Sequence, residues 1–107
     1  FKQAILNTNE GGTQLTLKEL TPVRLIKNKF FEDIQELYTK CPTKEDLTQL
    51  LGRARAKKGI FEGDLIEGEL EIGQIAGLIH EIKSAESIVL EMMEEYQLAK
   101  KTVTHFL

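Results

Sequence analysis

Gly73-Gln74-Ile75-Ala76-Gly77-Leu78-Ile79 sets small residues at 73, 76 and 77 among apolar ones. Coming after a glycine-containing loop, it predicts a short apolar helix, deeply packed, whose small positions let a second backbone approach closely. A helix start offers unpaired backbone N–H groups, and the missing side chain at Gly73 leaves room for a ligand. Gln74 adds one donor and one acceptor whose state does not change with pH. The plainer reading is that Gly73 supplies turn geometry and Gln74 caps a neighbouring carbonyl. The residues by themselves favour that plainer reading.

Upstream lies an irregular stretch from 59 to 72, with glycines at 59, 63 and 68 and the acids Glu62, Asp64, Glu67, Glu69 and Glu71. Their spacing lacks the alternating oxygen ligands and closing Glu of a twelve-residue calcium loop, so a solvated acidic loop is expected. Before it, Thr43 and Asp46 resemble a capping box. They open a helix whose buried stripe is Leu47, Leu50, Leu51 and Ala54 and whose end is basic: Arg53, Arg55, Lys57, Lys58. Gly59 then suits the left-handed residue past the helix end. Cys41-Pro42 ends the preceding segment, because the residue before proline is pushed out of the α region. There Val23, Ile26, Phe30, Ile34 and Leu37 recur at helical spacing after Thr21-Pro22, as one long helix or two short ones. Thr13 to Leu17 alternates as a short strand that needs a hairpin partner or a strand from outside the chain. Phe1, Ala4 and Ile5 make a first helix, ended by the turn residues Asn7 to Gly12.

Downstream, Ser84 caps a last helix in which Ala85, Ile88, Val89, Met92, Met93, Tyr96 and Ala99 form a strong apolar stripe. Met92 and Met93 are expected as core filler, and Thr102 to Leu107 as a fraying end. The fold class is therefore mainly α with a short β element (α+β), in one unit over residues 1–107.

The 107 residues make one small domain, with 41% apolar residues and a net charge of −3. That balance gives no footprint for nucleic acid, and no apolar run is long enough to span a membrane. One cysteine, Cys41, rules out an internal disulfide framework and fits a cytoplasmic protein. Catalytic equipment is sparse. His80 and His105 have no metal-ligand spacing, and no nucleophile elbow, phosphate loop or dinucleotide fingerprint occurs. A chain that opens inside an amphipathic helix reads as a piece of a longer one.

Three runs resemble a known family: Phe1-Lys2-Gln3-Ala4-Ile5, Pro22 to Phe30, and above all Gly73 to Ile79. They are similar to the C-terminal part of the nitronate monooxygenases (2-nitropropane dioxygenases), with the flavin-dependent enoyl-acyl-carrier-protein reductases as close relatives. The resemblance implies a parent FMN enzyme on a (β/α)₈ barrel, this chain being its helical small domain and C-terminal helices. The barrel, with the FMN-phosphate loops and the catalytic histidine, would lie outside it. It implies nitronate oxidation first and, as the alternative, reduction of an enoyl thioester with electrons from NAD(P)H. Gly73 and Gln74 become the residues nearest flavin and substrate, with no catalytic residue in this chain. Arg24 and Asn28 match the second run without a role to carry over; an ion pair or a bond to the barrel is expected. Faces shaped for the barrel would make the isolated chain self-associate or fold loosely, and leave it inactive. Outside this family, the chain reads as a free-standing helical interaction module.

Overall fold

The computed structural model describes residues 1–106. Along the chain run α1 (Lys2–Leu6), β1 (Thr13–Thr16), β2 (Val23–Ile26), α2 (Lys29–Tyr38), α3 (Lys44–Leu51), α4 (Arg55–Ile60), a 3₁₀ turn (Gln74–Leu78) and α5 (Ala85–His105). About half the molecule is helical, with one two-stranded sheet. None of the described helices is long and apolar enough to cross a membrane.

The strand expected at Thr13 finds its partner within the chain. β1 and β2 pair antiparallel, with Thr13 opposite Ile26 and Thr16 opposite Val23. This corrects the helical reading of Val23 and Ile26. The helix starts later, where Asn28 takes an extended backbone and its side chain accepts a hydrogen bond from Phe31 N at 3.0 Å. Short apolar spacings fit both periods, and pairing across the hairpin decides between them. In strand geometry Leu25 points inward and is fully buried. Residues 70–72 continue the sheet on the far side of β2: Ile26 N donates to Leu70 O and Ile72 N to Arg24 O.

The core gathers Leu17, Leu25, Phe30, Phe31, Ile34 and Leu47, so the helical face predicted at Phe30 and Ile34 is the one that packs. The capping box at Thr43 is complete: Thr43 N donates to Asp46 Oδ2 and Asp46 N to Thr43 Oγ1. The helix it opens ends sooner than its basic tail suggested. Gly52, at φ 67°, terminates α3, and Ala54 is exposed rather than part of a buried stripe.

Gly59 is not a left-handed cap either. It lies inside α4, buried, because Gly68 crosses it so closely that a Cβ on Gly68 would sit 2.2 Å from Gly59 Cα. Arg55 fastens this crossing. It donates to the carbonyls of Leu50, Leu51 and Glu67, and its guanidinium lies 4.4 Å from the centre of the Phe30 ring.

α5 departs from this packed unit. Ser84 caps it as expected, accepting from Ser87 N, and Lys83 pairs with Glu91 at 2.6 Å. The helix continues through Thr102 to His105 instead of fraying there, while Leu107 lies outside the described residues. Not one of its residues is buried. Met92, expected as core filler, is 61% exposed and Met93 is exposed with it. The radius of gyration is 18.0 Å, against about 13 Å for a compact domain of this length. The accessible surface is 7951 Å², against about 6,000 Å².

Candidate functional site

The Gly73–Ile79 run forms a 3₁₀ turn wedged against the loop that follows α1. Ala76 is fully buried, and a Cβ on Gly77 would meet Glu10 N at 3.1 Å and Glu10 Cα at 3.2 Å. The small residues at 76 and 77 thus serve close approach, as expected. The packing is one-sided: Ile75 and Leu78 are 56% and 71% exposed, so the turn is not deeply buried.

Gly73 has an ordinary extended backbone (φ −71°, ψ 163°), and a Cβ there would meet only Ile75 Cγ2 at 3.8 Å. Neither a strained turn nor packing requires glycine at this position. Gln74 is exposed, and its carboxamide caps no carbonyl among the described residues. Gly73 does open the 3₁₀ turn, its carbonyl accepting from Ala76 N, but in a conformation any residue adopts; the capping expected of Gln74 is not seen among the described residues.

Gln74 borders a cleft of about 550 Å³. Glu10, Gly11 and Thr13 from the loop and β1, Arg24 from β2, and Gly77 and Leu78 from the 3₁₀ turn line it with Gln74. Gly11, at φ 76°, turns the loop on which Glu10 sits. Arg24 is half-buried and donates through Nη1 to Thr13 O at 3.2 Å and to Thr13 Oγ1 at 3.3 Å. Residues 24 and 74, from the two most specific runs of the sequence, thus meet in one cleft. Periodicity had no means of finding this, because the hairpin and the strand at 70–72 bring them together.

Asn28 has a different task. Besides capping α2, its Nδ2 donates to Leu65 O and Gly68 O, tying the acidic stretch to the helix. Among the described residues Arg24 makes no ion pair, which had been one option, and the neutral Asn28 serves through hydrogen bonds. The stretch is also less solvated than its composition suggested. Glu69 is only 7% exposed, and burial first, then the neighbouring Glu71, pushes its carboxyl up to about 7 against the pull of Arg55. Asp64 is held below the usual carboxylate range chiefly by the backbone N–H of Glu67, with Lys58 adding to it.

The remaining candidates stand apart. His80 is exposed at an apolar hollow of about 340 Å³ with Leu78, Ile79 and Ile88. His105 meets Phe106 edge-on at the end of α5, and Cys41 is an exposed free thiol. No group of three metal-ligating side chains occurs among the described residues.

No family model matches the sequence, and no curated protein matches it significantly. Solved structures do. FabK from Thermotoga maritima superposes with a TM-score of 0.79 at 26% identity, over 98% of this chain and 33% of that one. A single-site mutant of the same protein gives 0.77 at 25% identity, over 98% and 30%. These neighbours lie in the family whose C-terminal part the sequence resembles. The chain spans about a third of the length of the solved structures it matches.

Proposed function

We propose that this chain is the small domain and C-terminal helix of a flavin-dependent enoyl-acyl-carrier-protein reductase. The observation that carries the reading is the likeness to FabK along 98% of the chain, combined with 26% identity. FabK is a flavin-dependent reductase of this kind, so the match supports the alternative drawn from the sequence better than nitronate oxidation. The uncovered apolar stripe of α5 agrees with it: a helix with this pattern and no buried residue needs a partner surface, and in this reading the rest of the enzyme provides one.

The residues present do not by themselves fit FMN. A flavin nucleotide needs a cradle of backbone N–H groups for its phosphate and a wall for its ring. The cleft brings one arginine already engaged on Thr13, and the acidic residue Glu10 in the same lining. We therefore assign flavin binding mainly to the rest of the enzyme and give this chain the task of walling the substrate cleft, with Gln74 as a neutral hydrogen-bonding edge. Reduced nicotinamide would be the electron donor.

The test is the intact enzyme, purified and assayed twice. A flavin-coloured protein that oxidises NADH in the presence of a crotonyl thioester, and leaves a nitronate untouched, is the expected result. Turnover of the nitronate alone would return the reading to the monooxygenases. A colourless protein inactive on both would overturn each.

A further inference from the structure

Residues 69–72 are a strap between the packed unit and the 3₁₀ turn. Glu69 N donates to Arg55 O, Ile26 N to Leu70 O and Ile72 N to Arg24 O, and Glu71 bridges to Leu25. Beyond the strap, Gly73 opens the turn whose Gln74 borders the cleft and whose Gly77 packs against Glu10. Whatever frees the strap from β2 therefore frees one wall of that cleft.

The strap holds a carboxyl in a place that disfavours its charge. Glu69 is 7% exposed, and among the described residues no cation lies within ion-pair distance of it. Alternate positions of an extended segment share a side, which sets Glu71 beside it. β2 meets this side with the uncharged Leu25, and the segment ahead brings Glu67, itself paired with Lys29. α4 brings Arg55, whose guanidinium is engaged on the carbonyls of Leu50, Leu51 and Glu67 and stands 3.9 Å from the Glu67 carboxylate. The other cations of α4, Lys57 and Lys58, pair with Glu62 and Asp64. Two carboxyls are thus left with a share of one cation, and burial and then Glu71 push Glu69 up to about 7.

We infer that Glu69 and Glu71 make residues 69–72 a proton-operated strap. With one proton between the two carboxyls it lies closed on β2 and holds the 3₁₀ turn against the Glu10 loop; when the proton leaves for solvent the strap lifts and the cleft beside Gln74 opens. The sign follows from Glu69, which in an open strap is an ordinary glutamate near 4.5 and in a closed one titrates at about 7. Below the first value both states hold the proton and the closed form has its full advantage. Between the two values each pH unit favours opening by up to about tenfold, and above the second the effect is complete. The device belongs to this chain's own residues and does not depend on the reductase reading.

Hydrogen exchange of the intact protein, read by mass spectrometry with exchange times scaled for the intrinsic rate, tests the strap without turnover. Segments 24–28 and 69–78 should lose protection by up to about tenfold per pH unit from about pH 5 to about pH 7 and then level off, while α2 and α3 keep theirs. Glu69→Gln should remove this pH dependence. Glu71→Gln, at an exposed position, should end the loss of protection at a lower pH. The same pH dependence in Glu69→Gln, a loss spread evenly over α2 and α3, or a Glu71→Gln curve that matches the unmodified protein would each overturn the strap.

Discussion

Phe30 and Met92 are both large apolar side chains on helices of clear amphipathic pattern, and they end in opposite places. Phe30 is 0% exposed, enclosed by Leu17, Leu25, Ile34 and Leu47 with Arg55 over its ring, whereas Met92 stands open on a helix with no buried residue. The packed unit closes because every device in it is reciprocal. The hairpin supplies Leu25, Asn28 both caps α2 and holds the 65–68 carbonyls, and Gly68 crosses Gly59 under Arg55. α5 has a cap, an ion pair and an apolar stripe, yet among the described residues only Ile88 of that stripe borders a hollow with Leu78 and Ile79, and none of it is buried. The pattern of a helix tells which face will be buried; it does not tell by whom.

That contrast can be broken most forcefully at its centre. Phe30→Ala removes the ring from the core and the surface beneath Arg55, and should cost about 3–5 kcal/mol in urea denaturation. A loss below about 1 kcal/mol would mean the packed unit is not the stable part of the molecule.

A smaller effect comes from Glu69, the carboxyl buried where the acidic stretch joins the sheet. Folded, it titrates near 7, against 4.5 for an ordinary glutamate, because burial and Glu71 disfavour its charge while Arg55 favours it. Between these values the folded chain keeps a proton that the unfolded chain has released. Stability is therefore greatest below about pH 4.5 as far as this group is concerned, and falls as pH rises toward 7. Glu69→Gln should flatten that part of the pH–stability curve; an unchanged slope would show that the carboxyl is solvated.

The smallest effect belongs to α5. Met92→Lys should change the stability of the monomer by no more than about 0.5 kcal/mol, while reducing concentration-dependent association in sedimentation, since the stripe is the apolar face left open. A large loss of monomer stability would show that α5 packs on its own chain after all.

Local chemistry was legible where a few neighbouring residues suffice. The capping box at Thr43, the break at Cys41-Pro42, the Ser84 cap and the small residues facing Glu10 follow from short-range geometry, and all are present. Readings that failed involve choices settled at a distance. Val23 and Ile26 fit a helical period until β1 claims them as a strand, and Gly59 fits a helix end until Glu69 and Leu70, ten and eleven residues later, pack where its side chain would be. The cleft is the extreme case. The sequence by itself determined that residues 73, 76 and 77 are small, that the run is uncharged and that Arg24 is a cation; only the tertiary structure decided that Arg24, Gln74 and Gly77 share one cavity. The physical reason is that side-chain preference acts over one or two turns of chain, whereas bringing residues 24 and 74 together depends on cross-strand hydrogen bonds and burial around Leu25, which no local pattern encodes.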